Sequence, residues 1–278
     1  MATIPGSQFT ATAPGMPVNV QETTTGTGLP TPTAGDFNLE VYVGSLANVP
    51  ALAPGYQGLA VLTSGGLELD LISGAYAVTD NGTGLDSISA YGDNETVSGG
   101  AANVTLNVYG YGDVATGGGQ DTIGAFGDFE TVTGGGNDLI TDNGNFDQIN
   151  DGGGADTITV TGSFDAINLS GTDTVGFLGG SYDTVTAGAQ PGTNADLINL
   201  SAGTNNFTFA DGSNIYADTV VGFDQATGDR IHLTTDTVSD ALANSTQVNS
   251  GQDTLITLSD HSTILLKGVT HVDSSFFK

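Results

Sequence analysis

Two interleaved series of acidic residues constrain this chain more than any other feature. One places Asp86, Asp121, Asp138, Asp156 and Asp173 on a period of 17–18 along the chain, with Val104 standing where one further member belongs. The second runs Glu95, Asp113, Glu130, Asp147, Asp165 and Asp183 on the same period. Two positions after each acid, and after Val104, comes an apolar residue: Ile88, Leu106, Ile123, Ile140, Ile158 and Val175 in the first series, Val97, Ala115, Val132, Ile149, Ile167 and Val185 in the second. Internal repetition of this kind indicates a solenoid. Each half of the period is too short for a helix plus a strand, and its glycine-rich part cannot form a helix interior. The expected fold is therefore all-β: a right-handed parallel β-roll or β-helix with two strands per turn, apolar residues inward, and capping β segments.

Equivalent residues on successive turns of such a coil lie about 4.8 Å apart. Two carboxylates at that distance repel by roughly 3 kcal/mol at an effective dielectric of 20. The chain has 31 acidic and three basic side chains, and the basic ones are Arg230, Lys267 and Lys278, so no cationic side chain precedes Arg230. Carboxylates there cannot be paired internally, which leaves repulsion, hydration or bound cations to settle their energetics, and a file of such residues should not stack without a cation. Calcium suits it, because it takes six to eight oxygen ligands and accepts backbone carbonyls alongside carboxylates. Glycine triplets at 117–119, 134–136 and 152–154 supply permissive backbone just ahead of Asp121, Asp138 and Asp156.

These segments, TGGGQDTI, TGGGNDLI and DGGGADTI, resemble the GGxGxDxUx nonapeptide of the repeats-in-toxin (RTX) family of calcium β-roll proteins. The resemblance implies calcium-binding roles for Asp121, Asp138 and Asp156, with Gly119, Gly136 and Gly154 two places ahead. It extends to Asp86 with Gly84, and to Asp173 with Gly171. The second series departs from that pattern. Asp93, Asp128, Asn145, Ser163 and Ser181 stand where the family has glycine, followed by Asn94, Phe129, Phe146, Phe164 and Tyr182. Glu130, Asp147, Asp165 and Asp183 are candidate metal ligands on this second edge. Phe129, Phe146, Phe164 and Tyr182 form either an outward strip for a partner, a sugar or another copy, or a cap folded over the sheet ends.

Residues 1–36, rich in Thr and Pro, read as an extended tail, and 37–80, where Phe37, Leu39, Val41 and Val43 alternate with polar neighbours, as an N-terminal β segment capping the coil. The repeats occupy 81–200 and a C-terminal β cap 201–278. Within that cap, NIYADTVVGFDQATGDRIHL and QDTLITLSDHSTILLKGVTHVDSSFF resemble the C-terminal region of proteins exported by type 1 secretion systems. The resemblance implies an uncleaved C-terminal signal, the type 1 machinery as a partner, and a destination outside a Gram-negative cell or on its surface. MATIPGSQFTATAPGMP lacks the basic and apolar regions of a Sec-type signal. No run of about 18 apolar residues is present to insert in a membrane, and the negative charge disfavours nucleic acid.

No HExxH, GxSxG or P-loop motif occurs, and the three histidines, His232, His261 and His271, all lie near the C-terminus. No catalytic residue is assigned. The functional expectation is a secreted, calcium-stabilised structural protein that forms homo-oligomers or polymers in a surface layer, filament or biofilm matrix. The alternative is an adhesin or polysaccharide-binding module that uses the aromatic residues on a polysaccharide or cell-surface glycan, with a polysaccharide lyase or epimerase third.

Overall fold

The computed structural model describes residues 1–63, 66–101, 103–187, 195–200, 208–210 and 217–278. It is nearly all β, with two compact units, residues 1–135 and 136–278, each built of stacked parallel coils. The expected solenoid class is the observed one.

In the first unit, one sheet stacks Glu68–Ser73, Ser87–Ala90, Thr105–Val108 and Thr122–Ala125 in parallel. The other stacks Ala77–Asp80, Thr96–Ser98, Val114–Thr116 and Thr131–Thr133, also in parallel. The period-two pattern places one apolar residue of each short strand inward: Leu69, Ile88, Leu106 and Ile123 on one side, Val78, Val97, Ala115 and Val132 on the other, all buried. Full burial of a Val, Leu or Ile side chain contributes roughly 1.5–3 kcal/mol, so these ladders are the main attraction between turns. The stack begins before residue 81, because Leu69 is already in register with Ile88.

The N-terminal residues read as an extended tail carry strands. Phe9–Thr12 pairs antiparallel with Ala77–Asp80, Val18–Thr23 pairs parallel with Phe37–Val43, and Ile4, Phe9 and Ala11 are buried. Phe9 and Ala11 occupy alternate positions of one strand, a period-two signal that the Thr/Pro composition masks.

In the second unit, Leu139–Asp142, Thr157–Val160, Thr174–Phe177, Leu197–Leu200 and Ala217–Val221 form one parallel stack. Gln148–Asn150, Ala166–Asn168, Thr184–Thr186, Thr208–Ala210 and Arg230–His232 form the other. The coil therefore runs past residue 200. The steps from Asp173 to Asp196 and then to Asp218 are longer than those before them, and the additions fall in 188–194 and 201–216, largely outside the described residues. Thr263–Lys267 joins the first stack in parallel, followed by Asp253–Thr257 and Ser245–Val248 in antiparallel order. The C-terminus closes the second stack: Ile231 bridges Phe277, and Lys278 N–H donates to the Ile231 carbonyl at 3.0 Å. Val238–Ala243 is a short helix, with the Thr237 hydroxyl accepting from Asp240 N–H at its start.

Candidate metal centre

Each coil has two edges, where the chain passes from one sheet to the other. The first acid series ends the loops of one edge, hereafter the glycine edge, and the second ends those of the aromatic edge. The acids do not face water. Asp86, Asp121, Asp138, Asp156 and Asp173 are buried, as are Glu95, Asp113, Glu130, Asp147, Asp165 and Asp183.

Their first role is structural. On the glycine edge, one carboxylate oxygen of Asp121, Asp156, Asp173, Asp196 and Asp218 accepts the backbone N–H of Val104, Asp138, Asp156, Asp173 and Asp196, one turn earlier, at 2.5–3.0 Å. On the aromatic edge Asp113 accepts from Glu95, Asp165 from Asp147 and Asp183 from Asp165, at 2.7–3.1 Å. The acids thus stitch each turn to the next, a role the spacing alone did not reveal. Val104 keeps the N–H donor although it has lost the carboxylate. Asp121 is further engaged, since Gly118 and Gly119 also donate to it, at 2.7 and 3.2 Å.

What remains is the second oxygen. Oδ2 of Asp156, Asp173, Asp196 and Asp218 on the glycine edge, and of Asp165 on the aromatic edge, is buried and meets no hydrogen-bond donor. Burial is the first cause that pushes these groups upward: Asp156 and Asp196 to about 6, Asp218 to about 8 and, on the other edge, Asp183 to about 6. Burial and the nearby charge of Asp151 also raise Asp173.

These oxygens gather in two triads in the second unit. Asp151, Asp156 and Asp173 lie on the glycine edge, Asp142, Asp147 and Asp165 on the aromatic edge, and in each the carboxylate oxygens lie within 4.8 Å of one another. Both triads follow one rule: the acid that opens a loop, the acid that closes it, and the acid that closes the equivalent loop one turn on. Of the residues proposed from sequence, the structure brings Asp156 together with Asp173, and Asp147 with Asp165. Asp86 instead lies beside Asp80 and accepts from Gln8 at 3.2 Å.

Asp142 and Asp151 were missed. Asp142 pairs in register with Val160, and Asp151 occupies the place that Leu169 holds one turn later, so both are acids set into apolar columns. That substitution is visible in the sequence once the columns are aligned. Asp151 is held by the Ser170 N–H and hydroxyl, at 2.8 and 2.9 Å.

The glycines have a steric reason. Gly154 and Gly171 have φ of +140° and +155°, and a Cβ on Gly154 would lie 2.1 Å from the Gly136 oxygen. The aromatic edge has its own glycine column, three places before each acid, at Gly92, Gly110, Gly127, Gly144, Gly162 and Gly180. A Cβ on Gly162 would lie 1.7 Å from the Gly144 oxygen. Both edges are therefore packed turn against turn through glycine.

The aromatic residues point outward. Phe146, Phe164 and Tyr182 stack at centroid distances of 4.9 Å and interplanar angles of 6°, and each is about half exposed. In the first unit Phe129 packs on Tyr111 at 5.1 Å and 46°, and Tyr91, Tyr109 and Phe126 make a separate stack at 4.8 Å. Phe129, Phe146, Phe164 and Tyr182 all have positive φ, between 63° and 70°.

No known protein family, curated protein or solved structure matches this chain.

Proposed function

We propose that this protein is a secreted, calcium-stabilised β-roll building block that assembles into an extracellular layer, filament or matrix. The observation that carries the reading is the triad Asp151, Asp156 and Asp173, with buried, donor-less oxygens on Asp156 and Asp173 and no Lys or Arg ahead of Arg230 to neutralise them. Three carboxylates fit a hard cation. Ligands at 2.3–2.6 Å from one calcium lie at most about 5 Å apart, and the oxygens of the triad fall inside that limit. The RTX resemblance on this edge supports calcium as the ion.

Calcium then links folding to export. Extracellular modules need bind only at roughly 10⁻⁴–10⁻³ M, so in cytosol the acids stay unneutralised and the chain stays loose. Outside the cell, ion binding adds its free energy to folding. The C-terminal resemblance to type 1 substrates supports this route. A non-catalytic role fits the acids being committed to the stitching lattice. Assembly is favoured by the half-exposed rings and by Val18–Thr23, which pairs on one side with Phe37–Val43 and offers its other side as an edge.

The test is circular dichroism through a calcium titration with an EGTA control. We expect β-structure to appear with calcium, and a chain equally β-rich in EGTA would defeat the mechanism. Negative-stain electron microscopy of the calcium form should show polymers, and a protein monomeric at high concentration would defeat assembly. A second reading, glycan binding, is favoured by the parallel Phe146, Phe164 and Tyr182 rings, since sugar faces stack on such surfaces. Retention on a polysaccharide column that is lost with Phe164→Ala would support it.

A further inference from the structure

The second triad lies beneath a different surface. Asp142 is fully buried at a position where the next turn has Val160. Its Oδ1 accepts from Gly144 N–H at 3.1 Å, while Oδ2 meets no hydrogen-bond donor although it lies within 4.8 Å of carboxylate oxygens of Asp147 and Asp165. Asp165 Oδ2 is likewise buried without a donor. A solenoid gains about 0.8 kcal/mol for each buried CH₂ of an inward side chain, so an acid at this point forgoes attraction and adds repulsion. A cation that takes a third carboxylate offsets that loss.

The same acids flank the rings. Asp147 follows Phe146 and Asp165 follows Phe164 in the chain, and both aromatics sit in left-handed backbone. The loops touch through backbone: Phe146 N–H donates to the Ser163 carbonyl and Phe164 N–H to the Ser181 carbonyl, both at 3.0 Å. Repulsion between Asp147 and Asp165 on successive turns acts to separate the loops whose contact holds Phe146 on Phe164.

We propose that Asp142, Asp147 and Asp165 bind a second calcium ion, separate from the one on the glycine edge, and that this ion holds the Phe146, Phe164 and Tyr182 strip in its stacked form. The ion draws the closing acids of two successive turns together, and Asp142 anchors it from inside the coil. The outward surface thereby forms only where calcium is plentiful. This inference rests on the reading that cations neutralise the buried acids, but it uses none of the glycine-edge residues.

Calcium bound per chain, measured by equilibrium dialysis on the full protein, tests it together with near-ultraviolet circular dichroism of the rings. Asp142→Val installs the side chain that the next turn carries in register, so the coil is kept and the ligand removed. We expect it to bind one calcium fewer and to lose most of the calcium-dependent aromatic signal. Asp142→Asn, which keeps the acceptor for Gly144, should weaken that site by roughly tenfold or more. Asp151→Leu, the residue of the following turn, should lose a different ion and keep the aromatic signal. Unchanged stoichiometry in both Asp142 variants overturns the site, and a lost ion with an unchanged aromatic signal overturns the coupling. If Asp151→Leu binds as much calcium as the parent while Asp142→Val binds less, the glycine-edge reading fails and this one stands.

Discussion

The two edges of the second unit close the coil with the same devices and differ in what they show to solvent. Each ends its loops with an acid that accepts a backbone N–H from the turn before, each packs glycine against the carbonyl of the neighbouring turn, and each gathers three aspartates. They part at the residue before the closing acid. The glycine edge has Asn137, Ala155 and Thr172 there and gives its left-handed positions to glycine, as at Gly154 and Gly171. The aromatic edge has Phe146, Phe164 and Tyr182 at that place, themselves left-handed. Closing a turn does not require an aromatic residue, since Gly112 and Asn94 hold the equivalent position in the first unit with φ of 72° and 60°. The rings are therefore not needed to close the turn, and each stands about half exposed.

The largest effect expected from this comparison is on pH dependence, and it should be shared by the edges. Without a bound cation, burial pushes Asp156 and Asp196 up to about 6 and Asp218 to about 8 in the folded chain, and Asp183 on the other edge to about 6, against 3.8 for an ordinary aspartate. The folded state then holds more protons than the unfolded state between about pH 4 and 8, so stability falls as pH rises through that window. Each pKa unit is worth about 1.4 kcal/mol, which makes the summed loss large. In EGTA, β-structure followed by circular dichroism should be greatest near pH 4 to 5, where the acids are protonated, and should be lost as pH rises toward 8, and saturating calcium should flatten that slope by stabilising the ionised acids. Asp156→Asn and Asp183→Asn should remove similar parts of the slope. A slope that vanishes with one variant alone would mean that a single edge carries the strain.

Next in size is the steric lock. Gly162→Ala and Gly154→Ala each place a methyl group against a backbone oxygen, 1.7 and 2.1 Å away, and Gly154 also has a positive φ. Backbone yields less readily than a side chain, so each should cost about 3 kcal/mol or more, at the upper end for overpacking. Urea unfolding of the calcium form would measure it. A clearly smaller loss at Gly162 would make the aromatic edge the looser of the two.

Much of this was legible in advance. The 17–18 period set two strands per turn, and the inward column from Ile140 through Ile158 to Val175 appears in the structure in the expected register. The outward direction of Phe146 and Phe164 was left open, because sequence does not give φ, and a bulky residue at φ above +60° runs against local preference. Asp142 and Asp151 escaped notice because the acids were followed along their two series and not column by column, and strand register places them where Val160 and Leu169 stand one turn later in the interior. Asp196 was left out of the acid series and Asp218 outside the repeat because loop length, rather than strand register, changes there. The stitching bonds were invisible for a related reason: an acid every turn announces charge, whereas its use as an acceptor depends on the N–H of a residue one full turn away.

The smallest expected effect bears most directly on why the edges differ. Phe164→Asn exchanges an aromatic in left-handed backbone for a residue several-fold enriched there, relieving strain of order 1–3 kcal/mol. It also removes two stacked contacts, to Phe146 and Tyr182, worth about 0.5–1.5 kcal/mol each. The two terms are of the same size and opposite sign, so the variant should unfold within about 1 kcal/mol of the parent. Ile167→Ala, in the buried column of the same turn, should cost about 2–5 kcal/mol. If Phe164→Asn is neutral to stability yet abolishes polymers or glycan retention, the ring serves the outward surface. If it destabilises as strongly as Ile167→Ala, the aromatic edge is part of the core packing, and the contrast between the edges reduces to two ways of closing one turn.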